Sequence, residues 1–94
     1  MLHSIFSIYD SKIEAYLPPF FMQTKAASIR AITDTMQDQQ HPFSKHPEDY
    51  TLFFLGTYDD NNSKFDIEIT PQSLAVMIEL IEQSTLKLVE RESQ

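Results

Sequence analysis

The chain contains no cysteine and no tryptophan, and Gly56 is its single glycine. Without cysteine, neither a disulfide framework nor a cysteine-rich zinc site can form. The lack of cysteine also fits a reducing compartment. One glycine excludes the glycine-rich loops that cradle phosphates, and no G-x-S-x-G elbow is present. No apolar run approaches the ~20 residues needed to cross a bilayer. The N-terminus shows no basic segment followed by an apolar core, so neither a signal peptide nor membrane association is expected. These absences point away from an enzyme. No catalytic residue, cofactor or metal is expected, and the chain reads as a single domain over 1–94.

Charge of one sign is also scarce. The 94 residues carry a formal net charge of −7, and the excess is confined to one half. Residues 1–47 hold Lys12, Lys25, Arg30 and Lys45 against Asp10, Glu14, Asp34 and Asp38, which cancel. In residues 48–94, Lys64, Lys87 and Arg91 face ten acids: Glu48, Asp49, Asp59, Asp60, Asp66, Glu68, Glu79, Glu82, Glu90 and Glu92. Non-specific nucleic-acid binding relies on cations that neutralise phosphates, and the basic footprint of such proteins is missing. An acidic surface suits solubility and docking onto basic partners.

What is present patterns well. Residues 2–9 mix β-branched and aromatic side chains and read as a strand, closed by the turn signal Asp10-Ser11. Tyr16 to Gln23 is apolar but broken by Pro18-Pro19. Proline cannot donate to a ladder, so this pair belongs at a strand start or sheet edge, leaving Phe20 to Gln23 to pair with the first strand. Thr24 is an N-cap candidate for a helix over 25–38. Its inner face is Ala26, Ile29, Ile32, Thr33 and Met36, with Arg30, Asp34 and Asp38 outward. Residues 39–49 read as a loop broken by Pro42 and Pro47.

Tyr50 to Tyr58 is the strongest strand, apolar enough to be buried on both faces. Gly56 within it marks a bulge or a close backbone approach. Residues 59–63, Asp-Asp-Asn-Asn-Ser, form a hairpin turn. Lys64 to Ile69 alternates, with Phe65, Ile67 and Ile69 expected inward. Thr70-Pro71 is expected to open a second helix as cap and first turn. Leu74, Met77, Ile78 and Ile81 would be its buried stripe, extending toward Leu88 across Ser84-Thr85. The expected fold is α+β, ββαββα, with an antiparallel sheet of about four strands and two helices on one face.

Candidate sites are few. His3, His41, His46, Glu48 and Asp49 match no metal-binding spacing, and loop roles are expected for them. Asp59, Asn61 and Ser63 resemble the start of a calcium loop. However, Lys64 stands where glycine is required and Thr70 where the bidentate glutamate belongs. Nothing in the spacing of Asp10, Glu14 and Asp49 demands acid–base chemistry. The aromatic set Tyr9, Tyr16, Phe20, Phe21, Phe53 and Phe54 carries two readings. It can stack unpaired bases, at about 1–3 kcal/mol each, with Lys12, Lys25 and Arg30 on phosphates. It can equally form the core or a dimer interface, which the small size of the chain favours.

Several segments point to a family. They are Ser7-Ile8-Tyr9-Asp10-Ser11-Lys12, Pro18-Pro19-Phe20-Phe21-Met22-Gln23-Thr24-Lys25 and His46-Pro47-Glu48-Asp49-Tyr50. In that order they resemble the small nonstructural protein of gokushovirus-type microviruses, single-stranded DNA phages. The likeness spans residues 4–62, and Thr70-Pro71 onward more loosely. It implies an accessory role in viral DNA replication and packaging in the host cytoplasm, at the switch from duplex amplification to single-strand synthesis. It carries over no catalytic residue.

Three functional expectations follow. In the first, the protein docks to replication or procapsid proteins through Asp59, Asp60, Glu79 and Glu82. In the second, it binds single-stranded DNA through Tyr9, Tyr16 and Phe21, with Lys12, Lys25 and Arg30. In the third, its acidic surface mimics DNA and occupies a basic host protein. A homodimer is expected in all three, because the core is small, a strand edge is exposed and aromatics are in surplus.

Overall fold

The structure, a computed structural model, describes residues 1–82. An antiparallel sheet is built on β1 (Leu2–Asp10) and β4 (Tyr50–Asp59), which pair along their whole length. β5 (Lys64–Val76) flanks β4. On the other side of β1 lie β2 (Ala15–Tyr16) and β3 (Phe20–Met22). These two short pieces are one edge strand split at Pro18-Pro19, where the missing N–H groups interrupt the ladder. The break stays anchored to β1. Leu17 N donates to Ile8 O at 2.7 Å, and Ser7 Oγ donates to Leu17 O at 2.7 Å.

α1 (Lys25–Thr35) begins where expected. Thr24 Oγ1 accepts from Ala27 N at 3.0 Å, which satisfies one of the free donors of the first turn. The helix ends three residues before 38. Gln37 N and Asp38 N turn to the carbonyls of Asp34 and Thr35, three residues back, and the Asp38 carboxylate takes Gln40 N. Its buried residues are Ser28 and Ile32, followed by Met36 at the cap, while Ala26 is exposed. Ser28 tolerates full burial because its hydroxyl donates to Lys25 O at 2.6 Å.

The expected loop contains a short helix, α2 (Pro42–Lys45). Pro42 opens it instead of breaking it, since the first helical position needs no N–H donor. His41 caps it, Nδ1 accepting from Phe43 N at 3.2 Å, and Phe43 enters the core.

The second half corrects two expectations. β5 runs through Thr70-Pro71 to Val76, and the chain turns helical only at 77–82. Ser73, Ala75 and Val76 are held by pairing with Phe53, Leu52 and Thr51, so tertiary register overrides the cap-like Thr-Pro signature. Pro71 is accommodated because residues 68–71 bulge out of the ladder opposite Leu55. Of the expected helical stripe, Met77 is buried and Leu74 and Ile81 are half-buried. Ile78 is exposed, and Leu80 is buried in its place. The extension toward Leu88 lies outside the described residues.

The other correction concerns Phe65, Ile67 and Ile69. They alternate as expected but are exposed, Phe65 by 59% and Ile67 by 55%. Their face of the sheet is the one without helices.

One core holds the molecule together. Phe6, Ile8, Leu52, Phe54 and Ala75 from the sheet meet Ile32, Met36, Phe43, Met77 and Leu80 from α1, α2 and segment 77–82. The fold is thus α+β, with the helices gathered on one face. β4 buries Leu52 and Phe54 on the helix side and leaves Thr51 and Phe53 half-buried on the other, so it is not equally covered on both faces. Gly56 fills the bulge role expected of it. Its φ is 153°, and a Cβ there would strike Asp66 O and the Cα of Ile67.

Candidate functional site

The face of the sheet opposite the helices is the candidate site. The registers Tyr9↔Tyr16, Ile5↔Phe21, His3↔Tyr58, Ser7↔Phe53, Tyr58↔Phe65 and Gly56↔Ile67 place all these residues on it. Ile5 and Ser7 are buried, yet neither belongs to the main core cluster. They floor a second, thinner apolar layer that nothing in the chain's described residues caps.

Two aromatic groups stand on that floor. At one end, Tyr16 lies with its ring centroid 4.9 Å from Tyr9 and 5.5 Å from Phe53. At the other, Tyr58 contacts Phe65 at 4.6 Å, Phe21 at 5.9 Å and His3 at 6.3 Å. Between them Ser7, Tyr16, Leu17, Pro18, Pro19, Leu55 and Pro71 line an apolar hollow of about 470 Å³. Of the paired positions on this face, none carries Asp, Glu, Lys or Arg.

The aromatic set read from the sequence is therefore divided. Tyr9, Tyr16, Phe21 and Phe53 share the open face. Phe20 and Phe54 instead contact Phe6 in the core, at 5.7 and 5.8 Å. The three cations are divided too. Lys12 lies in the β1–β2 turn, near the Tyr9–Tyr16 end, where its N–H donates to Asp10 Oδ1 at 3.0 Å. Lys25 is on the helix side, its ammonium 4.5 Å from the centre of the Phe54 ring and 3.1 Å from Gln72 Oε1. Arg30 is exposed on α1. The sheet thus lies between the Lys25 ammonium and the open-face rings.

Tyr58, Phe65 and Ile67 were missed as surface residues. The available signal was the hairpin itself, because counting back from residues 59–63 sets Phe65 opposite Tyr58.

The four acids form two sites. Asp59 and Asp60 are at the β4–β5 turn, whereas Glu79 and Glu82 are exposed on segment 77–82, beyond the far end of the same ladder. Eight residue steps of β4 separate the ends, roughly 25 Å. The hairpin acids are also partly neutralised. The Met1 ammonium donates to Asp60 Oδ1 at 2.6 Å and lies 3.7 Å from Asp59, and His3 Nε2 lies 2.8 Å from Asp60 Oδ2. The hydrogen bonds from the ammonium and from His3 hold the Asp60 carboxyl below its ordinary value. Hydrogen bonding to Asp60 raises the Met1 ammonium above its own. The turn is further fixed by Asn61 N donating to Asp59 Oδ1 and Lys64 N to Asn62 Oδ1.

His46, Glu48 and Asp49 bring one ligand atom each to within 4.8 Å of one another. His3 and His41 are engaged elsewhere, so the five-residue set does not assemble. The backbone of this segment has a structural role: Asp49 O accepts from Ser11 N at 2.9 Å and ties the β1–β2 turn to the start of β4. Asp10, paired with Tyr50, caps its own turn through Lys12 N. Burial, and then the carboxylates of Asp10 and Asp49, push the Tyr50 phenol above its ordinary value.

Fold and site together define a small α+β protein that displays one aromatic sheet face without acids, lysine or arginine at its paired positions, with Asp59, Asp60, Glu79 and Glu82 at the ends of a hairpin ladder. Residues 3–80 match the family described as Phage ORF5 protein, and the chain belongs to that family. It is a phage protein. No curated protein and no solved structure is significantly similar to it.

Proposed function

We propose that this is a non-enzymatic, nonstructural accessory protein of a gokushovirus-type microvirus. It acts in the host cytoplasm at the switch to single-stranded DNA synthesis and packaging, by docking to replication or procapsid proteins. Membership of the Phage ORF5 family supports the phage context. The observation that favours protein docking over direct DNA contact is the placement of Lys25. Its ammonium is committed to Phe54 and Gln72, on the side of the sheet away from the exposed rings. Stacked bases need nearby cations for their phosphates.

The test is binding of the purified protein to the purified phage replication initiator and to procapsids. Charge reversal is made separately at the two acidic sites, as D59K/D60K and as E79K/E82K. Loss of binding in one variant identifies the docking end. Undiminished binding in both removes the acids from the proposal. No binding by the parent protein to either partner overturns it.

A second reading is a single-stranded DNA-binding module, favoured by the Tyr9–Tyr16–Phe53 group with Lys12 in the adjoining turn. Fluorescence anisotropy of a labelled oligonucleotide at low and physiological salt separates the two. Submicromolar, salt-sensitive binding that is lost in Tyr16→Ala selects the DNA reading.

A further inference from the structure

We infer that the open sheet face is the interface of a symmetric homodimer, in which Ile69 of each copy seats in the apolar hollow of the other. This goes beyond docking to viral proteins and does not depend on it.

The knob and the socket lie on the same face. Ile69 is fully exposed. It stands midway between Ile67, which pairs opposite Gly56 on the open face, and Pro71, which lines the hollow there. Residues two apart on an extended chain point the same way, and the whole stretch is strand. Ile69 lies in the 68–71 bulge, outside the paired ladder. The socket of about 470 Å³ is walled by Tyr16, Pro18, Pro19 and Leu55 and is ample for a branched aliphatic side chain. A two-fold axis in the plane of the interface, midway between knob and socket, places both knobs in both sockets at once. That reciprocity is what an isologous contact requires.

Charge permits a second copy as occupant on this face. The chain is strongly acidic, so like-charge repulsion opposes self-association through most of its surface. The open face is the exception, since its paired positions carry no acid or base. A nucleic acid would find no cations among them.

Area is sufficient. Four strand positions about 4.8 Å apart along roughly 25 Å of ladder give a footprint on the order of 500 Å² per copy. A pair then covers about 1,000 Å², the lower bound for a specific interface. Two sheets packed face to face, with interdigitating side chains, are a common core arrangement.

The test is sedimentation equilibrium of the full chain over a hundredfold concentration range. The parent is expected at twice the 10.9 kDa chain mass. Ile69→Asp is expected at the single mass with an unchanged circular dichroism spectrum. Ile13→Asp, at another exposed apolar residue, in the β1–β2 turn, is expected to remain a dimer. A monomeric parent overturns the inference and assigns the face to a different partner. A dimeric Ile69→Asp, or a monomeric Ile13→Asp, overturns the knob. The chain lacks cysteine, so a second measurement is clean even if Ile69→Asp misfolds. Ile69→Cys and Pro19→Cys chains, mixed and oxidised, should form a mixed disulfide dimer. Its absence overturns the pairing.

Discussion

The ammonium of Lys25 sits 4.5 Å from the centre of the Phe54 ring and is held there by Gln72 Oε1 at 3.1 Å. A lysine at the first position of α1 thereby clamps the helix to the middle of β4 and to β5. Lys25→Ala is expected to lower stability by about 0.5–1 kcal/mol, read as a shift of the urea midpoint. Whatever affinity the protein has for single-stranded DNA is expected to stay unchanged. A fall in DNA affinity without loss of stability contradicts this role.

Ser7 is 2% exposed, and its hydroxyl donates to Leu17 O beside the proline pair. Removing the donor leaves that carbonyl without its partner. Ser7→Ala is expected to cost about 1–3 kcal/mol. It should also loosen Tyr16, seen as faster hydrogen exchange at Leu17 N, whose bond to Ile8 O closes the same break.

Gly56 has both a positive φ and no room for a side chain. Backbone strain alone is worth about 1–3 kcal/mol, and the clash with β5 adds to it. Gly56→Ala is expected to shift the hairpin register or leave the protein unfolded in a two-state melt. A variant with native stability would show that β4 and β5 do not approach as described.

The hairpin clasp has a pH signature. The Asp60 carboxyl is held below its ordinary value of 3.8. Its contribution is therefore present above that pH and is lost as pH falls through the lower, folded value. The Met1 ammonium is raised above 8.0, so its contribution is complete below pH 8 and is lost as pH rises through the higher, folded value. Asp60→Asn is expected to abolish the first dependence and to weaken the second, which Asp59 still supports. Carboxyl titration by NMR checks the first directly, and an Asp60 that titrates at or above 3.8 contradicts the clasp.

The sequence was most legible where a local interaction settles the outcome. Thr24 caps α1, Pro18-Pro19 splits an edge strand, and Gly56 lies where the backbones crowd, because each needs only its neighbours. It was least legible where distant pairing decides. Thr70-Pro71 carries a helix-start signature, but Ser73, Ala75 and Val76 are claimed by β4 partners 20 to 25 residues earlier. Alternation in Phe65, Ile67 and Ile69 defined a face but not which face the helices would cover. The acids Asp59, Asp60, Glu79 and Glu82 looked like one cluster in sequence, yet an extended ladder separates them. Pro42 shows the reverse case: read as a breaker, it starts a helix, because only the position within the turn distinguishes the two.

The split at Pro18-Pro19 and the bulge at 68–71 have a joint consequence for assembly. Each lies on an outer margin of the sheet, and each contains a proline where a further strand would need a donor. A further strand would meet a missing donor at either margin, which disfavours lateral pairing of neighbouring copies there. A chain with this much exposed aromatic surface thus carries, at both margins, a feature that opposes edge-to-edge association. The two proline margins work against polymerisation through the sheet edges.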